Sequence, residues 1–170
     1  MKKRICLALA LITVAGTAAV AQKRFYDREF RFGFQYPRGS KLSRDSDTIA
    51  AAPNFKGLAF ITLSRPGRGI YDATAAVSAA NITREACRAL STAEDSPQKK
   101  RFGTVTFDKT AWIEGGMESV HPVEFYRTFH KGTCYEVRLM VGMEKYPRRR
   151  INDGAAFGQL HTILSTFYFR

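Results

Sequence analysis

Cysteine and histidine carry much of the nucleophilic, acid–base and metal chemistry open to side chains, and this chain has three of each. A nucleophilic hydrolase needs a serine or cysteine beside an activating base. No GxSxG elbow occurs here. The histidines are scattered: His121 precedes Pro122, His130 borders Lys131-Gly132, and His161 follows Leu160. Structural or solvent-facing roles are expected for all three. No HExxH, CxxC or paired histidine spacing is present, so no metal is expected. Asp45-Ser46-Asp47 lacks the glycine and later glutamate of a calcium loop and reads as a turn. There is no Walker A or GxGxxG run, and no cofactor is expected. Arg65-Pro66-Gly67-Arg68-Gly69 reads as a plain loop, because no helix start follows to give it an anion-binding dipole. The alternative that stays open is a hydrolase-like enzyme assembled from distant residues, with His130 or His161 working alongside an acid such as Glu136.

The cysteines speak to compartment rather than catalysis. Met1-Lys2-Lys3-Arg4 is a basic start, Ile5 to Val14 is apolar, and Ala19-Val20-Ala21 is an A-x-A cleavage signal before Gln22. That three-part plan predicts a signal peptide over 1–21, cut between Ala21 and Gln22, and release to the periplasm or the extracellular space. Its apolar core falls short of the roughly 20 residues needed to span a bilayer. Removal of 21 of the 170 residues leaves 149, the length of one ordinary domain over 22–170. No other stretch is apolar and long enough for a transmembrane segment. Cys6 leaves with the leader, so Cys87 and Cys134 remain. In an oxidising compartment two cysteines are expected to pair. Such a bridge is worth about 2–4 kcal/mol, chiefly by restricting the unfolded chain. Two buried free thiols or a metal site are the alternatives, and zinc is not expected from two cysteines this far apart without a neighbouring CxxC or HxxxH.

Formal net charge is +12, falling to +9 when Lys2, Lys3 and Arg4 are removed. Charge of this size implies attraction to anionic surfaces without bearing on fold. Nucleic acid is not an expected partner outside the cytoplasm. A protein partner or an anionic envelope surface is. The basic residues form two runs, Lys99-Lys100-Arg101 and Lys145 with Arg148-Arg149-Arg150. Together they are the candidate anion-binding patch, and each charge adds about 1 kcal/mol near an anionic membrane. Solvated loops are the plainer reading of both.

The elements that position these residues read mostly as strands. Tyr26, Arg28, Phe30, Phe32, Phe34 and Tyr36 alternate with polar residues and glycine, which predicts one half-buried strand ended by Pro37 and Gly39. Leu58–Leu63 is apolar on both faces and reads as a central strand. Ala73–Ala80 is ambiguous between helix and strand. Thr83–Leu90 reads as a short helix capped by Thr83, with Ala86, Cys87 and Leu90 on one side. A polar loop over 94–101 precedes a strand from Phe102 to Ile113 that turns at Gly115-Gly116. Lys131-Gly132 then forms a hairpin turn that sets Arg127 opposite Glu136 and Phe129 opposite Cys134. In that register a Cys87 bridge pins the short helix to the sheet face opposite Tyr135 and Val137. Trp112, beside Ile113, reads as core. Asn152 or Asp153 caps a helix carrying Phe157, Leu160 and Leu164, and Ser165–Phe169 ends the chain as a strand. The sum is an α+β domain, an antiparallel sheet flanked by helices.

Three short segments carry a resemblance. Phe32-Gly33-Phe34-Gln35-Tyr36-Pro37-Arg38-Gly39, Ile163-Leu164-Ser165-Thr166-Phe167-Tyr168-Phe169 and Gly132-Thr133-Cys134-Tyr135-Glu136-Val137 resemble, in order, the opening, closing and "CYE" strand motifs of the PsbP-like (Mog/PsbP-type) superfamily. Many relatives have an aromatic soon after the Gly39 position, where Ser40-Lys41-Leu42 stands here. The resemblance implies an α/β/α sandwich around an antiparallel sheet. It also implies a non-catalytic binding or assembly factor, as photosystem subunits and a small-GTPase cofactor of that superfamily are. The matched residues are structural, so no binding site transfers with them.

Overall fold

The computed structural model describes residues 22–44, 54–90, 96–116, 118–145 and 151–170. The expected signal peptide and the turn at Asp45-Ser46-Asp47 lie outside the described residues, as do Arg148, Arg149 and Arg150.

The β8 (Ser119–His130) and β9 (Thr133–Glu144) hairpin is the spine of the molecule. Lys131 and Gly132 both have positive φ, 47° and 83°, the backbone that a two-residue turn between twisted strands requires. The resulting register pairs Arg127 with Glu136 and Phe129 with Cys134, as expected. On β9, Tyr135, Val137, Leu139 and Val141 then face one side and are fully buried, while Cys134, Glu136, Arg138 and Met140 face the other.

Around this hairpin runs a seven-stranded antiparallel sheet in the order β3-β4-β5-β9-β8-β7-β6. Its other strands are β3 (Lys41–Ser43), β4 (Lys56–Thr62), β5 (Ile70–Ala80), β6 (Gln98–Phe102) and β7 (Val105–Gly115). A three-stranded sheet, β1 (Gln22–Asp27), β2 (Phe32–Pro37) and β10 (Tyr168–Phe169), shares the first side with helix α2 (Asp153–Ser165). Helix α1 (Arg84–Ala89) lies on the second side against β8 and β9. The α+β architecture with helices flanking an antiparallel sheet is therefore as expected. No helix among the described residues is long and apolar enough to cross a membrane.

The first side holds the main core. Phe25, Phe32, Phe34 and Phe167 pack ring on ring, with Phe25–Phe34 centroids at 4.9 Å and Phe32–Phe167 at 5.1 Å. Leu160, Ile163 and Leu164 of α2 are fully buried beneath them. The ambiguous alanine run resolves as β5, paired on both edges by β4 and β9. Its small side chains let α2 approach the sheet, and pairing on two edges overrides the helix preference of alanine.

Four expectations change. The single strand over 26–36 is a hairpin, because Asp27 Oδ1 accepts from the Phe30 amide at 2.9 Å and Arg31 takes a positive φ of 52°. That turn brings Phe25 opposite Phe34. The 58–63 strand is next to the edge rather than central, flanked by the three-residue β3. Residues 98–101 form the edge strand β6, held by β7, and not a loop. The terminal strand shortens to Tyr168–Phe169, since Thr166 Oγ1 bonds back to the Thr162 carbonyl at 2.9 Å and ends α2 there.

Thr83 caps α1 as expected, its hydroxyl accepting from the Ala86 amide at 3.2 Å. Cys87, the buried residue of this short helix, is disulfide-bonded to Cys134 with Cα atoms 5.6 Å apart. The bond closes a separation of 47 residues. The Cys87→Ala/Cys134→Ala double variant is expected to lose about 2–4 kcal/mol. Urea unfolding of oxidised wild type against the variant measures the loss, and equal midpoints would contradict it.

Candidate functional site

Charged side chains line concavities on both sides of the sheet. The first lies between α1 and the second face and encloses about 180 Å³. Its charged lining is Arg84 and Arg88 from α1, Lys99 from β6, Asp108 from β7 and Arg127 from β8. The sheet places three of these in one row. Lys99 stands opposite Asp108, Asp108 opposite Arg127, and Arg127 opposite Glu136. Signs alternate along the row, so neighbours attract. Lys99 pairs with Asp108, and Arg127 Nε donates to Glu136 Oε2 at 2.6 Å. Arg127 Nη1 also donates to the Leu90 carbonyl at 2.7 Å, tying the C-terminal end of α1 to the sheet. Arg84 lies over the Phe129 ring, 5.1 Å from its centroid.

The second concavity is an open groove of about 510 Å³ beside the start of α2. Ile113, Pro122 and Phe157 give it an apolar surface, and Glu124, Asp153 and His161 give it polarity. Ile113 is 72% exposed there. Trp112 is half-buried instead of core, stacked on Phe125 at 4.2 Å with Nε1 donating to Glu114 at 3.3 Å. Behind the groove Glu124 collects three partners. His161 Nε2 lies 2.7 Å from Glu124 Oε2, Tyr126 Oη donates to the same oxygen at 2.8 Å, and Lys109 pairs with Oε1. Burial pushes the Glu124 carboxyl upward, but the bonds from His161, Lys109 and Tyr126 outweigh it and hold the carboxyl at about 2. Burial, then the bond to Glu124, pushes the Tyr126 phenol well above its ordinary range. An ionised Glu124 only accepts, so His161 Nε2 carries a proton and its Nδ1 remains for other partners.

Glu136 meets neither His130 nor His161, because strand alternation turns it to the second side, where it pairs with Arg127. His161 meets Glu124 instead. His130 stacks on Phe169 at 4.2 Å, and burial followed by the Lys131 charge lowers its pKa. His121 Nε2 lies 3.1 Å from Tyr71 Oη and 3.2 Å from Ser119 Oγ. No group of three or more His, Cys, Asp or Glu among the described residues is placed to hold a metal ion.

The basic runs separate. Lys99, Lys100 and Arg101 are exposed on β6, with Lys99 and Arg101 turned to the second side and Lys100 to the first. Lys145 follows β9, where its amide donates to the Glu118 carbonyl at 3.0 Å. It stands nine residues beyond Glu136, roughly 30 Å along the strand from the Lys99 row. Sequence reasoning missed Arg84, Arg88 and Arg127 at the first concavity and Lys109, Glu124 and Tyr126 at the second. A signal existed: Arg84 and Arg88 flank Cys87, and Glu124 and Arg127 are charges inside an aromatic-rich strand.

Because the folded pKa of Glu124 lies below its unfolded value, its stabilisation is complete above about pH 5 and is lost as pH falls toward 2. Glu124→Gln is expected to lose on the order of 2 kcal/mol at neutral pH. Its stability should also change less than that of wild type between those pH values. Denaturant titrations across that range test both.

No family model matches the sequence, and no curated protein matches it. Among solved structures, a protein from Bacteroides thetaiotaomicron is similar at 14% identity with a TM-score of 0.53, over 87% of this chain and 48% of that one. The chain thus spans about half the length of that protein, and the likeness is one of fold alone. The solution structure of the cyanobacterial PsbP protein (CyanoP) from a Synechocystis species is similar at 14% identity with a TM-score of 0.41, over 94% of this chain and 99% of that one.

Proposed function

We propose that this protein is an exported, non-catalytic binding or assembly factor of PsbP-like type that engages an anionic component of the envelope or an acidic protein partner. One observation carries the reading. Exposed cations from two elements, Arg84 and Arg88 on α1 and Lys99, Lys100 and Arg101 on β6, are brought to one border of the sheet. Edge-strand charge also blocks pairing with a second sheet, and that role is compatible with binding. The expected signal peptide and the Cys87–Cys134 bond support residence in an oxidising compartment.

The second reading, a hydrolase-like enzyme, draws support from the Glu124–His161 pair beside the groove. A carboxylate on one ring nitrogen orients the other as a base. Against it, the groove is open and, among the described residues, its lining holds no serine, threonine or cysteine.

Vesicles containing phosphatidylglycerol are expected to retain the mature protein at low salt and release it at high salt. Lys100→Glu/Arg101→Glu should weaken retention by at least roughly 30-fold, from loss of about 1 kcal/mol for each of the two cations plus the repulsion of the new acids. Reversal of Arg148, Arg149 and Arg150 tests the second run in the same assay. Salt-independent retention, or none, removes the membrane form of the proposal, and crosslinking in the native host then tests the protein form. Turnover of ester or phosphoester substrates that His161→Gln abolishes would favour the enzyme.

A further inference from the structure

The cavity beneath α1 has a charge balance that its own ion pairs do not close. Among the described residues its lining carries four cations, Arg84, Arg88, Lys99 and Arg127, and one acid, Asp108. Glu136, behind Arg127, is a second acid, which leaves an excess of two positive charges. Lys99 is taken by Asp108 and Arg127 by Glu136, whereas Arg84 and Arg88 form no ion pair among the described residues. Both stay exposed at the rim.

From this we infer that the cavity is a binding site for a tetrahedral oxyanion of the phosphate or sulfate class, free or as the head of a larger molecule. The inference rests on the reading of this border as anion-binding and narrows it to one site. Size supports it, since about 180 Å³ is below the roughly 300–1,000 Å³ of pockets for drug-sized ligands. Chemistry supports it too. Three of the four cations are arginines, whose planar forks match phosphate geometry, and Thr106 adds a hydroxyl donor. Arg127 is buried, only 7% exposed, and is held by Glu136 and the Leu90 carbonyl, so the floor is already organised.

The disulfide is part of the site. Arg84 and Arg88 flank Cys87, which itself lines the cavity and anchors α1 to β9. Without that bond a six-residue helix is too short to hold itself in place, and two of the four cations lose their positions. Oxyanion affinity should therefore depend on oxidation.

The test titrates inorganic phosphate into the oxidised mature protein at constant ionic strength, followed by amide chemical shifts. Saturable binding at one site is expected, with the largest shifts at α1, Lys99 and Thr106. Arg88→Gln/Lys99→Gln should weaken it at least tenfold. Lys41→Gln, on the exposed opposite edge strand β3, should leave it within twofold. Dithiothreitol should weaken it at least tenfold while the amide spectrum of α2 and the core strands persists. A parallel arm with phosphatidylglycerol vesicles separates sources: competition by free phosphate places the lipid head in the cavity, and its absence places only the free ion there. Non-saturable shifts, or equal losses in the Lys41→Gln and Arg88→Gln/Lys99→Gln proteins, overturn the site. In that case salt-sensitive vesicle binding that Lys100→Glu/Arg101→Glu still weakens would leave the broader surface reading intact.

Discussion

The register of the β8–β9 hairpin is the constraint on which the rest of the structure depends. A strand has a side-chain period of two, so a slip of one residue would exchange its two faces. With Lys131-Gly132 at the turn, Tyr135, Val137, Leu139 and Val141 enter the aromatic core. The same register turns Cys134 and Glu136 toward α1. A slip would bury Glu136 and Arg138 among phenylalanines and carry the Cys134 sulfur away from Cys87. The left-handed backbone at both turn residues, one of them glycine, keeps that alternative out of reach.

The two sides of the sheet that this register creates are held by different physics. On the first side, closely packed rings and α2 exclude water over a continuous apolar surface, and burial of that surface supplies most of the driving force. On the second side, a row of alternating charges crosses the sheet beneath a short helix. Buried charges are costly to desolvate, and the Arg127–Glu136 pair repays that cost only through close geometry and the added bond to Leu90. Such a pair is a weak source of net stability. It does give α1 a fixed place, at its C-terminal end through Arg127 and mid-helix through Cys87.

Both concavities arise where these two systems meet the sheet border. Glu124 and Tyr126 lie on the core side of β8, and Arg127 lies on the other side one residue later. A single strand thus contributes the central acid of one cluster and the central cation of the other. The Glu124 cluster is nearly saturated, with both carboxylate oxygens engaged, so it serves first to fix His161 and the start of the groove. Among the described residues the α1 cavity is lined by more cations than acids, unlike the Glu124 cluster.

Much of this was legible in local sequence. Lys131-Gly132 between alternating strands determined the hairpin and its register, Thr83 the start of α1, and the Phe157–Leu160–Leu164 spacing the buried face of α2. Each depends on backbone preference or periodicity within a few residues, which a sequence displays directly. The hairpin at 28–31 was not legible, because aromatics occupy both of its strands and their alternation runs on through the turn. The strand character of Ala73–Ala80 and of Lys99-Lys100-Arg101 was decided by neighbours distant in the chain, whose pairing outweighs intrinsic preference. The meeting of His161 with Glu124, 37 residues apart, and of Arg127 with the end of α1 was decided the same way. A charged side chain has no periodic signature of its partner, so tertiary structure alone chose which acid each base would meet.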